Sequence, residues 1–271
     1  MTFKNFLIVA SKLDKAGINI TTQLSQYGDF KYYLVDKDIT HTQDKEDLEK
    51  FSQFDFIIFA SKHQSKEGRK TLSIHIPGNF RSDSQLPTHG GLPGKVSKTS
   101  ALFLKQSFIK LKKNVDLHKL NDYTLTLECT HHGPSIDIPC MFIEIGSTIN
   151  EWEDRRAGFV IAKTISDIIN EYKHNPYHEV AVGLGGPHYC PSFNKLQLDS
   201  NFAISHIISE YNFPLTEEML KEAISKTYEE VDLILLDWKG LGNAQSRADV
   251  KKILDKLYLR YEKTSDVNKK S

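Results

Sequence analysis

Two stretches of this chain share a design that suits strand ends gathered at one sheet edge. Alternating Tyr123-Thr124-Leu125-Thr126-Leu127 runs into Glu128-Cys129-Thr130-His131-His132-Gly133-Pro134. Val180-Ala181-Val182-Gly183-Leu184 runs into Gly185-Gly186-Pro187-His188-Tyr189. Each reads as a strand stopped by a Gly/Pro break, with imidazole at the lip. Ligands of open α/β sheets bind beyond the carboxyl ends of the strands. Neutral imidazole both ligates metals and carries protons near neutral pH. The repetition predicts one site built from two strand ends.

The rest of the chain fits a sheet of that kind. Apolar runs at residues 6–10, 32–35 and 55–60 alternate with helical patterns near 18–27 and 44–51. That alternation predicts an α/β fold with a mixed, largely parallel sheet flanked by helices. Residues 71–76 alternate, so Ser73 and His75 share the face opposite Leu72, Ile74 and Ile76. Residues 77–94 read as a long loop. Ala101, Leu104, Phe108, Leu111 and Val115 then recur at helical spacing, placing Lys105, Lys112 and Lys113 on an exposed basic side.

Residues 61–119 are thus expected to form an inserted loop-and-helix segment. The strand at 141–146 is expected beside the Glu128 strand. A helix opens at Asn150, with Glu153 at a cap-like spacing, and runs to about Tyr172. Helices are expected at 201–210, 216–228 and 245–261, and a buried strand at 231–236 leads into Asp237-Trp238-Lys239-Gly240. One catalytic domain over 1–262 and a flexible tail over 263–271 complete the expectation.

Lys and Arg number 35, as do Asp and Glu, which argues against wholesale non-specific nucleic-acid binding. The positive charge is nevertheless clustered: residues 95–113 hold six lysines and no acid. Such a face suits one phosphate-rich ligand. No apolar run approaches the ~20 residues of a membrane span. The amino-terminal residues show no signal-peptide pattern, and three scattered cysteines make no disulfide framework. A cytoplasmic, monomeric protein without membrane contact is expected.

His131, His132 and His188, with Glu128 and Glu144, offer ligands for zinc with one position open to water; His75 or His63 would add to them. No H-E-x-x-H or C-x-x-C spacing is present, and any one of these histidines is by itself more often a hydrogen-bonded or surface residue. Cys129 admits a thiol nucleophile, though its strand position predicts burial on the face away from Glu128. Gly183-Leu184-Gly185-Gly186 is like a phosphate-cradling turn. It lacks the G-x-G-x-x-G spacing, and no helix is expected after it.

Taken together, the motif at 128–134, Phe142-Ile143-Glu144-Ile145-Gly146-Ser147-Thr148, the stretch at 182–189 and Asp237-Trp238-Lys239-Gly240-Leu241 resemble the archaeal and plant class of D-aminoacyl-tRNA deacylases. His63-x-Ser65-x-x-Gly68 and His75-x-x-Gly78-Asn79-Phe80 resemble that family's N-terminal half. The resemblance spans about residues 5–259, with the motifs in family order. It implies hydrolysis of the ester joining a D-amino acid to tRNA, releasing free D-amino acid, with possible clearance of aldehyde-modified substrates. It also implies Zn2+ as cofactor and a fold similar to peptidyl-tRNA hydrolase and purine nucleoside phosphorylase. The catalytic expectation is Glu128, His131, Glu144 and His188, and the metal expectation is His75, His131, His132 and His188. Phosphates of the tRNA acceptor end are expected to meet Lys62, Lys66, Arg69, Lys70, Lys95, Lys105, Lys195 and Lys239. The alternatives are another metal-dependent hydrolase or nucleoside-processing enzyme on the same fold, and a non-catalytic tRNA-binding protein.

Overall fold

The computed structural model describes residues 3–81 and 89–267. In chain order, β1 (Phe6–Ser11), α1 (Lys15–Leu24), β2 (Tyr32–Val35), α2 (Lys45–Phe51) and β3 (Phe56–Gln64) come first. They are followed by β4 (Thr71–His75), β5 (Gly78–Asn79), β6 (Lys95–Val96), α3 (Ala101–Leu117), β7 (Thr124–Leu127) and β8 (Cys140–Ser147). Next are α4 (Ile149–Trp152), α5 (Arg155–Glu171), β9 (Glu179–Leu184), α6 (Pro191–Asp199) and β10 (Phe202–Ile208). The chain closes with α7 (Glu217–Ser225), β11 (Leu233–Leu236), α8 (Ala244–Lys256), β12 (Tyr261–Lys263) and α9 (Thr264–Val267).

A six-stranded sheet has the order β2-β1-β3-β8-β4-β7, and a four-stranded one the order β10-β9-β11-β12. Every pairing in both is parallel except β4 with β8. The mixed, largely parallel sheet flanked by helices is therefore observed.

Strand alternation divides the large sheet into two unlike faces. Ile58, Ala60, Ile143, Ile145, Leu72 and Ile74 pack with α1, α3 and α5 in the main core, which runs on into the second sheet through Ala181 and Ile204. On the opposite face, Leu7, Val9, Ile57, Phe59 and Phe142 pack with Phe51 of α2. Further along that second face the pattern turns polar. Ser61 stands opposite Glu144, Glu144 opposite Ser73, and Ser73 opposite Thr126, one rung crossing four strands. All four residues are buried. The apolar face stabilises the sheet, at about 1.5–3 kcal/mol per fully buried large aliphatic side chain. The sheet can thereby carry a polar face that costs stability.

Several local expectations change. The strand holding Glu144 is not next to the Glu128 strand, because β4 lies between them. Within residues 61–119 lie the internal strand β4 and the core helix α3. The helix expected from Asn150 is two. Thr148 and Glu151 form a capping box on the short α4, and Asp154 caps α5 through Arg156 N. Residues 202–208, read as helical, are the fully buried strand β10. A helix, α6, does follow the Gly185-Gly186 turn. Of the expected tail, residues 263–267 end β12 and form α9, with Thr264 and Val267 buried, while 268–271 lie outside the described residues. So do residues 82–88 of the expected long loop.

Candidate active site

Backbone hydrogen bonds bring the two strand ends together. Past β7, Cys129 N–H donates to His188 O at 2.9 Å, and Thr130 N–H donates to Ile207 O at 3.0 Å. Thr130 Oγ1 in turn accepts from Ile207 N at 3.2 Å, at the place where β10 shifts register against β9. The 128–132 segment thus stitches the large sheet to the small one.

On a regular strand His131 and His132 would face opposite ways. His132 instead adopts φ 40°, in the left-handed region. The following Gly133 allows this tight course, since a Cβ there would lie 2.1 Å from Gly91 N. As a result His131 and His132 ring centroids are 4.4 Å apart, and each lies within 4.8 Å of the His75 ring.

Around this trio the carboxylates converge. Glu128 Oε2 is 3.1 Å from His188 Nε2 and 3.5 Å from His131 Nε2, and Oε1 is 3.1 Å from His63 Nδ1. The His63 contact is close enough for an ion pair but is not aligned as a hydrogen bond, so Oε1 keeps no hydrogen-bond partner. Glu144 Oε1 accepts from Ser61 Oγ at 2.8 Å, while Oε2 is 3.5 Å from His75 Nε2. His188 Nδ1 lies 3.6 Å from Cys129 Sγ, and His63 Nε2 bonds Tyr189 Oη at 2.9 Å. Cys129 therefore touches the same imidazole as Glu128, contrary to the opposite-face expectation: β7 has ended at Leu127, so strand alternation no longer applies.

The electrostatics separate the histidines into two kinds. Burial opposes charge on His188, but its bonds to Cys129 and Glu128 outweigh burial and push its pKa up to about 11. Burial also opposes charge on His63, and Glu128 and Glu144 raise its pKa. Desolvation among neighbouring imidazoles lowers His131 well below the ordinary range and takes His132 to about 4. Burial disfavours the Glu128 carboxylate, yet His188 and His63 hold it well below the usual range. One half of the cluster is thus an ion-paired network, and the other a set of neutral imidazoles.

The neutral half has the makings of a metal site. His131 Nδ1 and His132 Nδ1 sit 2.8 and 2.7 Å from the carbonyls of Cys129 and Gly133. A carbonyl only accepts, so each Nδ1 carries the proton and each Nε2 keeps its lone pair, the usual outer-shell support of a ligating histidine. Both nitrogens of His75, with Ser73 Oγ, Thr71 Oγ1 and Glu128 Oε1, are buried without a hydrogen-bond partner among the described residues. Each such orphan costs about 1–3 kcal/mol. Their concentration on one polar face fits a bound ion or water better than accident. His75, His131 and His132 form one group able to hold a metal; Cys129/His131/His188, His63/Glu128/His188 and His75/Glu128/Glu144 form overlapping ones.

The cluster opens into a cleft of ≈ 870 Å³ lined by Glu144, His63, His131, His132 and His188, together with Lys62 and Lys66. Glu128 is 2% exposed and lies beneath it. Among the other cations proposed for tRNA, Arg69 pairs with Glu67, Lys70 with Asp122 and Lys95 with Glu222. Lys195 and Lys239 are exposed outside the cleft lining. Lys105 is a correction. It is 1% exposed and donates to Gln197 O at 2.8 Å and Ser200 O at 2.9 Å, tying α3 to the end of α6, so no phosphate reaches it. The helical spacing put it off the apolar stripe without revealing that α6 covers that flank. Sequence reasoning gave His63 too little weight and did not use Ser61 or Tyr189; the partial motif at 63–68 was the available signal.

Comparison with known proteins adds the following. The family described as D-aminoacyl-tRNA deacylase matches residues 50–262. The D-aminoacyl-tRNA deacylase of Archaeoglobus fulgidus is 36% identical over 268 residues, covering 92% of this chain and 91% of that protein. The one from Thermococcus onnurineus is 32% identical, covering 94% and 98%. The crystal structure of a conserved protein of unknown function, AF0625, superposes with a TM-score of 0.86 at 31% identity, covering 98% of this chain and 97% of its own. Among the described residues no helix is long and apolar enough to cross a membrane.

Proposed function

The chain belongs to the D-aminoacyl-tRNA deacylase family, and we propose that it hydrolyses the ester between a D-amino acid and the terminal ribose of tRNA at this histidine cluster, with zinc as cofactor. The observation that carries this is the meeting of five imidazoles and two carboxylates at and beneath the floor of one cleft, with unpartnered nitrogens and oxygens among them.

His75, His131 and His132 would hold the metal. Their ring centroids lie within 4.8 Å of one another, burial keeps His131 and His132 neutral, and in those two Nδ1 is fixed by a carbonyl. Zinc held by these residues would supply Lewis acidity to the ester carbonyl and to the attacking water. Glu144 is the base. Unlike Glu128 it lines the cleft, and Ser61 orients it by donating to Oε1, which leaves Oε2 free to take a proton from water. As the water oxygen bonds to the acyl carbon, negative charge builds on the carbonyl oxygen. His188, held cationic by its contacts to Cys129 and Glu128, stabilises it through its charge. Collapse breaks the bond to the ribose oxygen, which takes the proton held by Glu144, and free D-amino acid and tRNA leave.

Lys62 near the end of β3 and Lys66 in the loop after it line the cleft, and with Arg69 and Lys70 of that loop they would meet acceptor-end phosphates. Rejection of L-aminoacyl esters follows if the inverted centre turns the side chain into the cleft wall. Glu144→Gln tests the assignment: it keeps shape and the Ser61 contact but cannot accept the proton. Turnover should fall at least 100-fold while tRNA binding persists, and wild-type turnover would remove Glu144 from the chemistry.

A further inference from the structure

The cleft extends well beyond the histidines. Its other half lies where β2 and β3 flank β1, so that the connections leaving these strands diverge; such a crossover point opens a ligand crevice. Leu13, at the end of β1, is 70% exposed and Ile149, at the start of α4, 45% exposed, yet both line this cleft. Trp152 lines it too, its Nε1–H donating to His63 O at 3.0 Å. Asn19 Nδ2 donates to Trp152 O at 3.0 Å and Lys15 pairs with Glu153 at 3.4 Å, which hold α4 beside α1 and bring these apolar groups to one wall.

Cations edge the same wall. Lys62 Nζ lies 5.1 Å from the Trp152 ring centroid, and Lys66 also lines the cleft. Asp38, also in the lining, accepts from Thr40 N and Thr40 Oγ1 through Oδ1 alone, leaving Oδ2 as a free acceptor among the described residues. An apolar lining beside an acceptor and next to two cations suits a nucleoside monophosphate. Lys62 already feels the nearby Asp14 and Asp38 carboxylates, whereas an amino-acid side chain would use the apolar surface and leave Lys66 unengaged.

We propose that this half of the cleft seats the 3′-terminal adenosine of tRNA, its base against Leu13, Ile149 and Trp152 and its 5′-phosphate at Lys62 and Lys66. The proposal rests on the deacylase reading for the identity of the nucleoside. It gives the hydrolytic half of the cleft an orientation: with the base at Trp152, whose indole is bonded to the His63 carbonyl, the ribose ester points to the histidine cluster.

The test uses the full chain and the trinucleotide CCA, with binding followed by calorimetry. Leu13→Asp/Ile149→Asp places charge on two exposed positions, and Leu13→Met/Ile149→Met keeps them apolar. The Asp pair should bind CCA at least tenfold more weakly than wild type, and its loss on D-tyrosyl-tRNA should appear in KM. The Met pair, which keeps the wall apolar, should lose at least fivefold less CCA affinity than the Asp pair. Equal CCA affinity in the Asp pair and wild type would overturn the proposal. So would unchanged CCA affinity accompanied by an altered preference between D-tyrosyl- and D-alanyl-tRNA, which would make the wall an amino-acid pocket. Should wild type bind CCA through these residues and hydrolyse no D-aminoacyl-tRNA, the deacylase reading fails while the nucleoside seat stands.

Discussion

Glu128 Oε2 stands 3.1 Å from His188 Nε2 across 60 residues of sequence, joining the end of β7 to the loop after β9. Glu128→Gln keeps an acceptor but removes the charge. The His188 pKa should then fall from about 11 toward the ordinary histidine range. Imidazole titration by NMR reads this directly, and turnover should drop with it. An unmoved His188 titration would show that Glu128 is not what keeps it cationic.

Metal removal gives a second outcome. Dialysis against a chelator should abolish hydrolysis, and added zinc should restore it. His132→Ala should lower bound metal at least tenfold in elemental analysis without lowering helix content. Full activity in metal-free protein would separate the histidine cluster from metal chemistry.

The lysines divide by burial. Lys62→Ala and Lys66→Ala should each weaken tRNA binding and reduce the slope of log K against log salt by about 1. Lys105→Ala should leave that slope unchanged and lower the urea midpoint, since it orphans the carbonyls of Gln197 and Ser200 at about 1–3 kcal/mol. Burial also pulls the Lys105 pKa down to about 8. A salt slope altered by Lys105→Ala would contradict its structural role.

How much of this was legible in sequence differs by residue. The strand-then-break pattern located both His131–His132 and His188, because Gly and Pro punctuate locally and alternation survives in half-buried strands. Lys105 and β10 were misread for a shared reason. Their environment is set by α6 and by Thr130, distant segments that no local period encodes. In β10 the polar pair Ser205 and His206 interrupts an apolar run and blurs its period. Both are buried all the same, Ser205 sharing a hydrogen bond with Thr227 Oγ1 at 2.8 Å and His206 lying 3.3 Å from Thr130 Oγ1. The insertion of β4 between β7 and β8, which puts His75 among the site residues, is topology and has no local signal at all.

His206 carries a pH prediction. Burial lowers its pKa to about 3, below the unfolded value near 6.5, so the unfolded chain takes up the proton first. Its contribution to stability is full above pH ~6.5 and is lost as pH falls toward 3, at about 1.4 kcal/mol per pH unit. Urea midpoints between pH 7 and 4 should therefore fall less steeply in His206→Gln than in wild type. Parallel curves would show that this imidazole is not buried in its neutral form.

The central claim is that imidazoles from two sheets, with Glu144, make a centre that cleaves D-aminoacyl-tRNA. Single-turnover hydrolysis of D-tyrosyl-tRNA and L-tyrosyl-tRNA by the purified protein, run beside Glu144→Gln, tests it most directly. The account predicts rapid release of D-tyrosine, little release of L-tyrosine, and at least a 100-fold slower D-tyrosine release by the variant. Equal rates on the two esters, or a variant as fast as wild type, would contradict it.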